Sequence, residues 1–392
     1  MTTQQYEFDA IRPYNDNEVK QALEELLADR QFNALLRGFV PWLPKWLRNG
    51  IIRLAFTGID STLDFQLRFM KPTVKYVLRK CSKETTFCHE AIQADNNRYT
   101  FVSNHRDIVL DSAILDVLLH DAHFPTTCEI AIGDNLLIYP WIKKLVRLNK
   151  AFTVKRGLSP RELLESSMLM SRYMHYAVNQ KKEYIWIAQR EGRAKDSSDH
   201  TQESVLKMMA MGGEGTPAEQ LKNLHIVPLT ISYEYDPCDY LKAQEFQQKR
   251  DNPSYKKSKQ SDLDNMKTGI MGYKGRIHYE CAPCIDAWLD ELSELPKNEF
   301  FSAVAKRMDR EIHSAYRLFP GNYVALDELE GAGKWKAHYT EKDKQAFDSY
   351  VEKQLKKIKL ENPDWPFLRE RILTMYANPV LNKSNSKKQA EQ

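Results

Sequence analysis

The sequence predicts an α/β fold, a mixed central sheet flanked by helices, with helical additions at both ends. Two patterns predict it. From about residue 98, short β-rich runs alternate with helical stretches, as strands and connecting helices do when they share one sheet. On either side of that region the chain reads as helix. At 392 residues and 42% hydrophobic, it is long and apolar enough to bury a large core. The expected boundaries are a helical region over 1–95, an α/β domain over 96–290 and a helical region over 291–392.

Taken in order, Asp16 or Asn17 is placed to cap a first helix through EVKQALEELLADRQF, whose Val19, Leu23 and Leu26 or Leu27 share a face. FVPWLPKWLRNGIIRLAF follows, broken by Pro41 and Pro44. No acid occurs between Asp29 and Asp60 or from Arg68 to Lys83, while the two stretches carry eleven Lys or Arg residues beside Trp42 and Trp46. The strands expected are RYTFVS, CEIAI, AFTV, EYIWIA, HIVPLTISY and RIHYEC. Residues 243–268, polar and lysine-rich, read as a mobile insertion, and NKSNSKKQAEQ as a frayed tail. No internal repeat is present.

The net charge of +4 is too small to point to a nucleic-acid binder. Six cysteines at irregular spacing read as reduced thiols, because a chain of this length needs no disulfide staples. Cys281-Ala-Pro-Cys284 is the only CxxC and lacks a second pair, so a strand end is expected there rather than redox or zinc chemistry. The first residues lack the basic-then-apolar layout of a signal peptide, and no apolar run approaches the roughly 18 residues of a membrane-spanning helix. The expectation is a cytoplasmic protein whose membrane contact, if any, is at the surface.

SNHRDIVLD, residues 103–111, admits two readings. His105-Arg106-Asp107 spells the HRD of a kinase catalytic loop, but Ser112 stands where a metal-binding Asn is required, no DFG follows and no GxGxxG precedes. The kinase reading fails. The other reading is chemical. A histidine beside a carboxylate makes a general base: the carboxylate fixes the ring tautomer while the second nitrogen takes a proton from a hydroxyl. Asp111, one turn into the following helix, and Asp107, at its start, are the candidate carboxylates. The bland alternative is a hydrogen-bonded turn histidine and a first-turn acid. Further on, Lys155 and Arg156 follow AFTV at a strand end, with Lys143, Lys144, Arg147 and Lys150 nearby and no acid between Asp134 and Glu162. Such a cluster suits a phosphate or is a solvated basic surface.

Four stretches taken together resemble the glycerolipid acyltransferase family, and its glycerol-3-phosphate branch more than its lysophosphatidate branch. They are SNHRDIVLD, LNKAFTVKRG, YIWIAQREGRAKD and IVPLTISYEYDPCDYLKA, in the family's order over roughly residues 96–285. Two departures occur. The family separates His and Asp by four residues, whereas five separate His105 from Asp111, so either the turn holds one extra residue or Asp107 takes the role. LDSAIL continues as the family's helix does, which favours Asp111. The family's Glu-Gly-x-Arg appears as Glu191-Gly192-Arg193, one residue short, and an ungapped match puts Arg190 where the Glu belongs.

The resemblance implies an O-acyltransferase of phospholipid biosynthesis. His105 and Asp111 would be catalytic. Arg156 and Arg193, with Lys155 and Arg106, would hold the acceptor phosphate; Gly192 would lie beside the thioester, and Glu191 would belong to the substrate-binding residues. Pro228 would shape the acyl pocket, Tyr233 and Glu234 fit structure as well as function, and Gly133-Asp134-Asn135 sits where the family has a substrate-facing loop. The donor would be an acyl thioester of acyl-carrier protein or coenzyme A, the acceptor glycerol-3-phosphate or 1-acylglycerol-3-phosphate, with no cofactor, no metal and no nucleic acid. A lipid product implies that the acid-free segments rest on an anionic bilayer, at the inner face of the cytoplasmic membrane, rather than serving only as packing helices. Three rivals stay open: a lysophospholipid or acylated amino-acid hydroxyl as acceptor, a thioesterase, and an inactive surface-binding protein.

Overall fold

Seven strands among the described residues form one sheet, in the spatial order Ser82–Cys88, Gly275–Cys281, Ile226–Tyr233, Thr100–Ser103, Tyr184–Ala188, Cys128–Gly133, Ala151–Val154. The computed structural model describes residues 7–39, 44–94, 97–331 and 333–390. The N-terminal region carries helices α1 (Asp16–Ala28), α2 (Arg30–Phe39) and α3 (Lys45–Phe56), then passes through a π-helical turn, Phe65–Met70, into α4 (Lys71–Cys81). Asn15, not Asp16 or Asn17, caps α1: Glu18 reaches back to its backbone N–H at 2.6 Å. Val19, Leu23, Leu26 and Leu27 are all buried and join Phe56 and Phe65 in an N-terminal core. Pro41 and Trp42 lie outside the described residues.

The sheet then alternates with helices: β1 (Ser82–Cys88), β2 (Thr100–Ser103), α5 (Leu110–Asp121), β3 (Cys128–Gly133), α6 (Pro140–Leu148), β4 (Ala151–Val154), α7 (Pro160–Tyr176), β5 (Tyr184–Ala188), α8 (Glu203–Met209), α9 (Pro217–Lys222) and β6 (Ile226–Tyr233). A helical pair, α10 (Asp239–Asp251) and α11 (Lys259–Met271), precedes β7 (Gly275–Cys281). Helices α12 (Lys297–Ser314), α13 (Pro320–Glu330), α14 (Glu341–Leu355) and α15 (Trp365–Ala390) close the chain.

All six expected strands are present. The sequence missed β1, which begins the sheet inside the segment expected to be helical. Its SKETTFC is an edge strand with a single neighbour, β7, so it stays partly exposed and lacks the apolar run that marks a strand covered on both faces. The insertion expected to be mobile is instead the α10–α11 pair, and residues 382–390 of the expected frayed tail are the last turns of α15, Glu391 and Gln392 lying outside the described residues. There Lys383 donates to the Tyr316 carbonyl at 2.6 Å and Ser386 is buried, contacts far apart in sequence that composition does not reveal.

Strands β6, β2, β5, β3 and β4 are mutually parallel; β7 runs antiparallel to β6, and β1 parallel to β7. Successive side chains point to opposite faces, so β5 sends Tyr184 and Trp186 into one core and Ile185 and Ile187 into the other. The five parallel strands all end at one edge of the sheet, at Ser103, Gly133, Val154, Ala188 and Tyr233. In open α/β sheets that edge is where ligands bind.

Candidate active site

β2 is central, and the turn that leaves it is clamped. The Asn104 amide donates to the Ile231 carbonyl at 2.9 Å and its oxygen accepts from the Ile231 N–H at 2.8 Å, tying the turn to β6. His105 follows, its side chain only 12% exposed, with its ring 5.5 Å from Trp186 in an edge-to-face contact. The His105 Nδ1 is 2.8 Å from Asp111 Oδ2. A carboxylate only accepts, so Nδ1 carries the proton and Nε2 is left as the basic nitrogen.

Asp111 is fully buried and its partners account for its position. Oδ2 also accepts from the backbone N–H groups of Arg106 at 2.6 Å and Asp107 at 3.0 Å, while the Tyr233 hydroxyl donates to Oδ1 at 3.1 Å. Burial, with Tyr279 and Asp111 adding to it, holds the Tyr233 phenol well above its usual range, so it stays a donor. Asp107 does something else. Its Oδ1 accepts from the N–H groups of Val109 at 2.9 Å and Leu110 at 2.8 Å, the start of α5. Burial and the neighbouring Asp111 charge push the Asp107 carboxyl up. The five-residue spacing is therefore accommodated by a turn at Ile108–Val109 before α5 begins, and the carboxylate that meets the imidazole is Asp111.

The basic residues divide. Arg106 is buried, bound to Asp199 at 2.7 Å and lying over the Tyr316 ring, and its Nη1 is buried without a partner. Arg193 donates from Nη2 to Asn265 of α11 at 3.0 Å, and its Nη1 is likewise buried and unpartnered. Arg156 pairs with Glu191 at 2.8 Å while its backbone N–H reaches Asp134 Oδ1 at 3.0 Å, which joins the loops after β3, β4 and β5. Lys155 is exposed. Gly192 adopts φ +67, a conformation costly for other residues, with open space where a Cβ would stand.

The rest of the basic run does not converge on this edge. Lys150 precedes β4 and Lys155 follows it, so the strand separates them to opposite edges; Lys150 is buried against Glu183 at 2.6 Å. Lys144 pairs with Glu25, and Arg147 lies over the Tyr14 ring. The reading of a single basic cluster is thus corrected to two strand-end loops, one after β4 bearing Lys155 and Arg156 and one after β5 bearing Arg193, plus buried Arg106. Sequence reasoning missed Asn104, Trp186 and Asn265, and left Tyr233 without a role; each acts through a partner at least 70 positions away, for which a single sequence gives no signal.

Residues 85–232 match the family model described as Acyltransferase, a segment that holds His105, Asp111, Arg156 and Arg193. That segment is similar to acyltransferase domains, and the protein is an enzyme that transfers acyl groups. No curated protein matches the chain. Among solved structures it is similar to the 1-acyl-sn-glycerophosphate (LPA) acyltransferase, PlsC, from Thermotoga maritima, at 11% identity and a TM-score of 0.39, over 69% of this chain and 90% of that one.

Proposed function

We propose that the enzyme moves a fatty acyl chain from a thioester of acyl-carrier protein or coenzyme A onto the hydroxyl of glycerol-3-phosphate or 1-acylglycerol-3-phosphate, for phospholipid synthesis. The observation that carries the reading is the His105–Asp111 contact, with Nε2 left free as the base at the ligand-binding edge of an acyltransferase domain. His105 takes the hydroxyl proton as the oxygen attacks the thioester carbonyl. The C–S bond then breaks, and the imidazolium returns the proton to the leaving thiolate. Asp111 holds the ring and stabilises the imidazolium.

An acceptor phosphate is supported by the guanidinium N–H groups of Arg106 and Arg193 that lie buried without protein partners, since buried donors are costly to leave unpaired. Arg156 and Lys155 would complete its binding, and the fourth sequence block favours glycerol-3-phosphate over the acylated acceptor. Gly192 would let the backbone approach the thioester, with Glu191 holding Arg156 in place. Association with the inner face of the cytoplasmic membrane is supported by α3, whose Trp46, Ile51 and Leu54 are 75%, 53% and 74% exposed. No helix among the described residues is long and apolar enough to cross a membrane.

The test is acyl transfer to radiolabelled glycerol-3-phosphate from palmitoyl thioesters of both carriers. Labelled lysophosphatidate is expected, with a loss of about a thousandfold in His105→Ala. Labelled product only from lysophosphatidate would move the acceptor to the second acylation. Transfer to a phosphate-free hydroxyl that survives Arg156→Ala and Arg193→Ala would overturn the phosphate reading. Free fatty acid alone would make the protein a thioesterase, and no product from any acceptor would leave an inactive surface-binding protein.

A further inference from the structure

A second group of reactive side chains lies at the opposite edge of the sheet. His225 immediately precedes β6, at the amino end of that strand, and holds φ +44, a left-handed conformation that is uncommon for a non-glycine residue. Its Nδ1 is 2.6 Å from Asp286 Oδ2. Cys284 completes the group: one ligand atom from each of the three residues lies within 4.8 Å of the others. Asp286 Oδ1, the oxygen that does not meet His225, is buried without a hydrogen-bond partner. Cys281 takes no part, being buried in the sheet core where β7 ends, so the CxxC spacing places one thiol in the core and one beside His225.

We propose that His225, Cys284 and Asp286 bind one zinc ion. The hydrogen bond between His225 and Asp286 leaves the second carboxylate oxygen unsatisfied; a cation gives it a partner. The donor set selects the metal. Thiolate and imidazole favour zinc over calcium or magnesium, which take oxygen ligands. Tetrahedral zinc holds its ligand atoms about 3.3–3.8 Å apart, so the three side chains close by roughly an ångström around it, with the fourth position left to water. Binding expels the Cys284 thiol proton.

The backbone on both sides is already fixed. The His225 carbonyl accepts from the Thr100 N–H at 3.2 Å, Ala282 N–H donates to the Pro228 carbonyl at 2.9 Å, and Ala287 N–H to the Cys284 carbonyl at 3.2 Å. Ile226 is level with Thr100 and Leu229 with Ser103, so the site lies roughly four residues, or about 13 Å, along the sheet from the turn that carries His105. It does not reach the reacting atoms. It pins the amino end of β6 to the turn after β7 that leads into α12.

The full-length protein, stripped with a chelator, is titrated with zinc against a chromophoric competitor and, separately, with cobalt. One equivalent is expected, with a thiolate-to-cobalt charge-transfer band and a rise in Tm on zinc addition. Cys284→Ser is expected to lose the band, and both Cys284→Ser and His225→Gln to weaken zinc binding by about tenfold or more. Cys281→Ser is expected to bind as the wild type does. A wild type that retains no zinc overturns the proposal. So does undiminished binding in both Cys284→Ser and His225→Gln, which would put the metal on other groups such as the exposed His200.

Discussion

Two carboxylates stand within reach of the His105 turn, and their partners separate their roles. Asp111 meets the imidazole, two backbone N–H groups and a tyrosine hydroxyl; Asp107 meets the first N–H groups of α5. Asp111→Asn exchanges the acceptor that fixes the tautomer for an amide, so kcat is expected to fall by about 10³–10⁴, on the scale known for triad carboxylates. Asn is as good a helix cap as Asp, so Asp107→Asn should stay within a few-fold of wild type. Steady-state acyl transfer by the two variants decides it, and equal losses would return Asp107 to the catalytic group. Tyr233→Phe keeps the ring but removes the donor to Asp111 Oδ1. The carboxylate then loses one of the partners that fix its position and holds the ring less firmly, so kcat should fall while KM is kept; an unchanged kcat with altered stability would make Tyr233 structural only. The His–Asp pair was legible because it is local, six positions apart. Tyr233 and the Asn104 clamp were not, because their partners are brought in from β6 or α5 by the sheet.

The elements that the sequence named correctly are those whose partners are mostly water-excluding neighbours. Buried strands such as β5 and β6 announce themselves by apolar runs. The α10–α11 pair does not, because polar residues hold it: Asn265 to Arg193, Lys195 to Glu245, and Gln247 to the Asn362 carbonyl. Those contacts close α11 over the site, where a Cβ at Gly269 would stand 2.2 Å from the Asp107 carboxylate. Ala normally stabilises a helix relative to Gly by about 1 kcal/mol. Gly269→Ala should instead cost about 1–3 kcal/mol in urea unfolding and lower kcat/KM, because Asp107 is pinned by the amides it caps; a gain in stability would mean α11 does not rest there. Asp239, on α10, accepts from Tyr350 at 2.9 Å, Tyr376 at 2.8 Å and Gln354, yet burial and the Asp236 charge push its carboxyl up to about 7. Between the ordinary carboxylate range and that value the native state keeps a proton that the unfolded chain releases. The stability Asp239 contributes is thus greatest in acid and is lost as pH rises through about 7. The unfolding free energy of Asp239→Asn minus that of wild type should increase from about pH 5 to pH 8, the variant gaining stability relative to wild type; a flat difference would show that the carboxyl titrates normally.

At the scale of the whole molecule, net charge is a poor guide to what the protein touches. The acid-free segments promised eleven basic residues for an anionic surface, but folding supplies acids from elsewhere. Arg53 pairs with Glu24, Arg68 with Asp64, and both Lys71 and Lys75 with Asp121. Meanwhile α3 leaves Trp46, Ile51 and Leu54 uncovered, with Leu47 beside them at 39% exposure. Exposed pairs in water contribute about 0–1 kcal/mol, whereas full burial of one large apolar side chain contributes about 1.5–3 kcal/mol. Apolar insertion should therefore outweigh charge in any membrane contact made by this helix. In sedimentation with phosphatidylcholine–phosphatidylglycerol vesicles, Trp46→Ser combined with Leu54→Ser should lower partitioning by about tenfold or more. Raising salt from about 0.1 to 0.5 M, which shortens the screening length to a few ångströms, should lower it less. The opposite ranking would assign the contact to the basic residues, and vesicle binding indifferent to both would remove α3 from the membrane altogether.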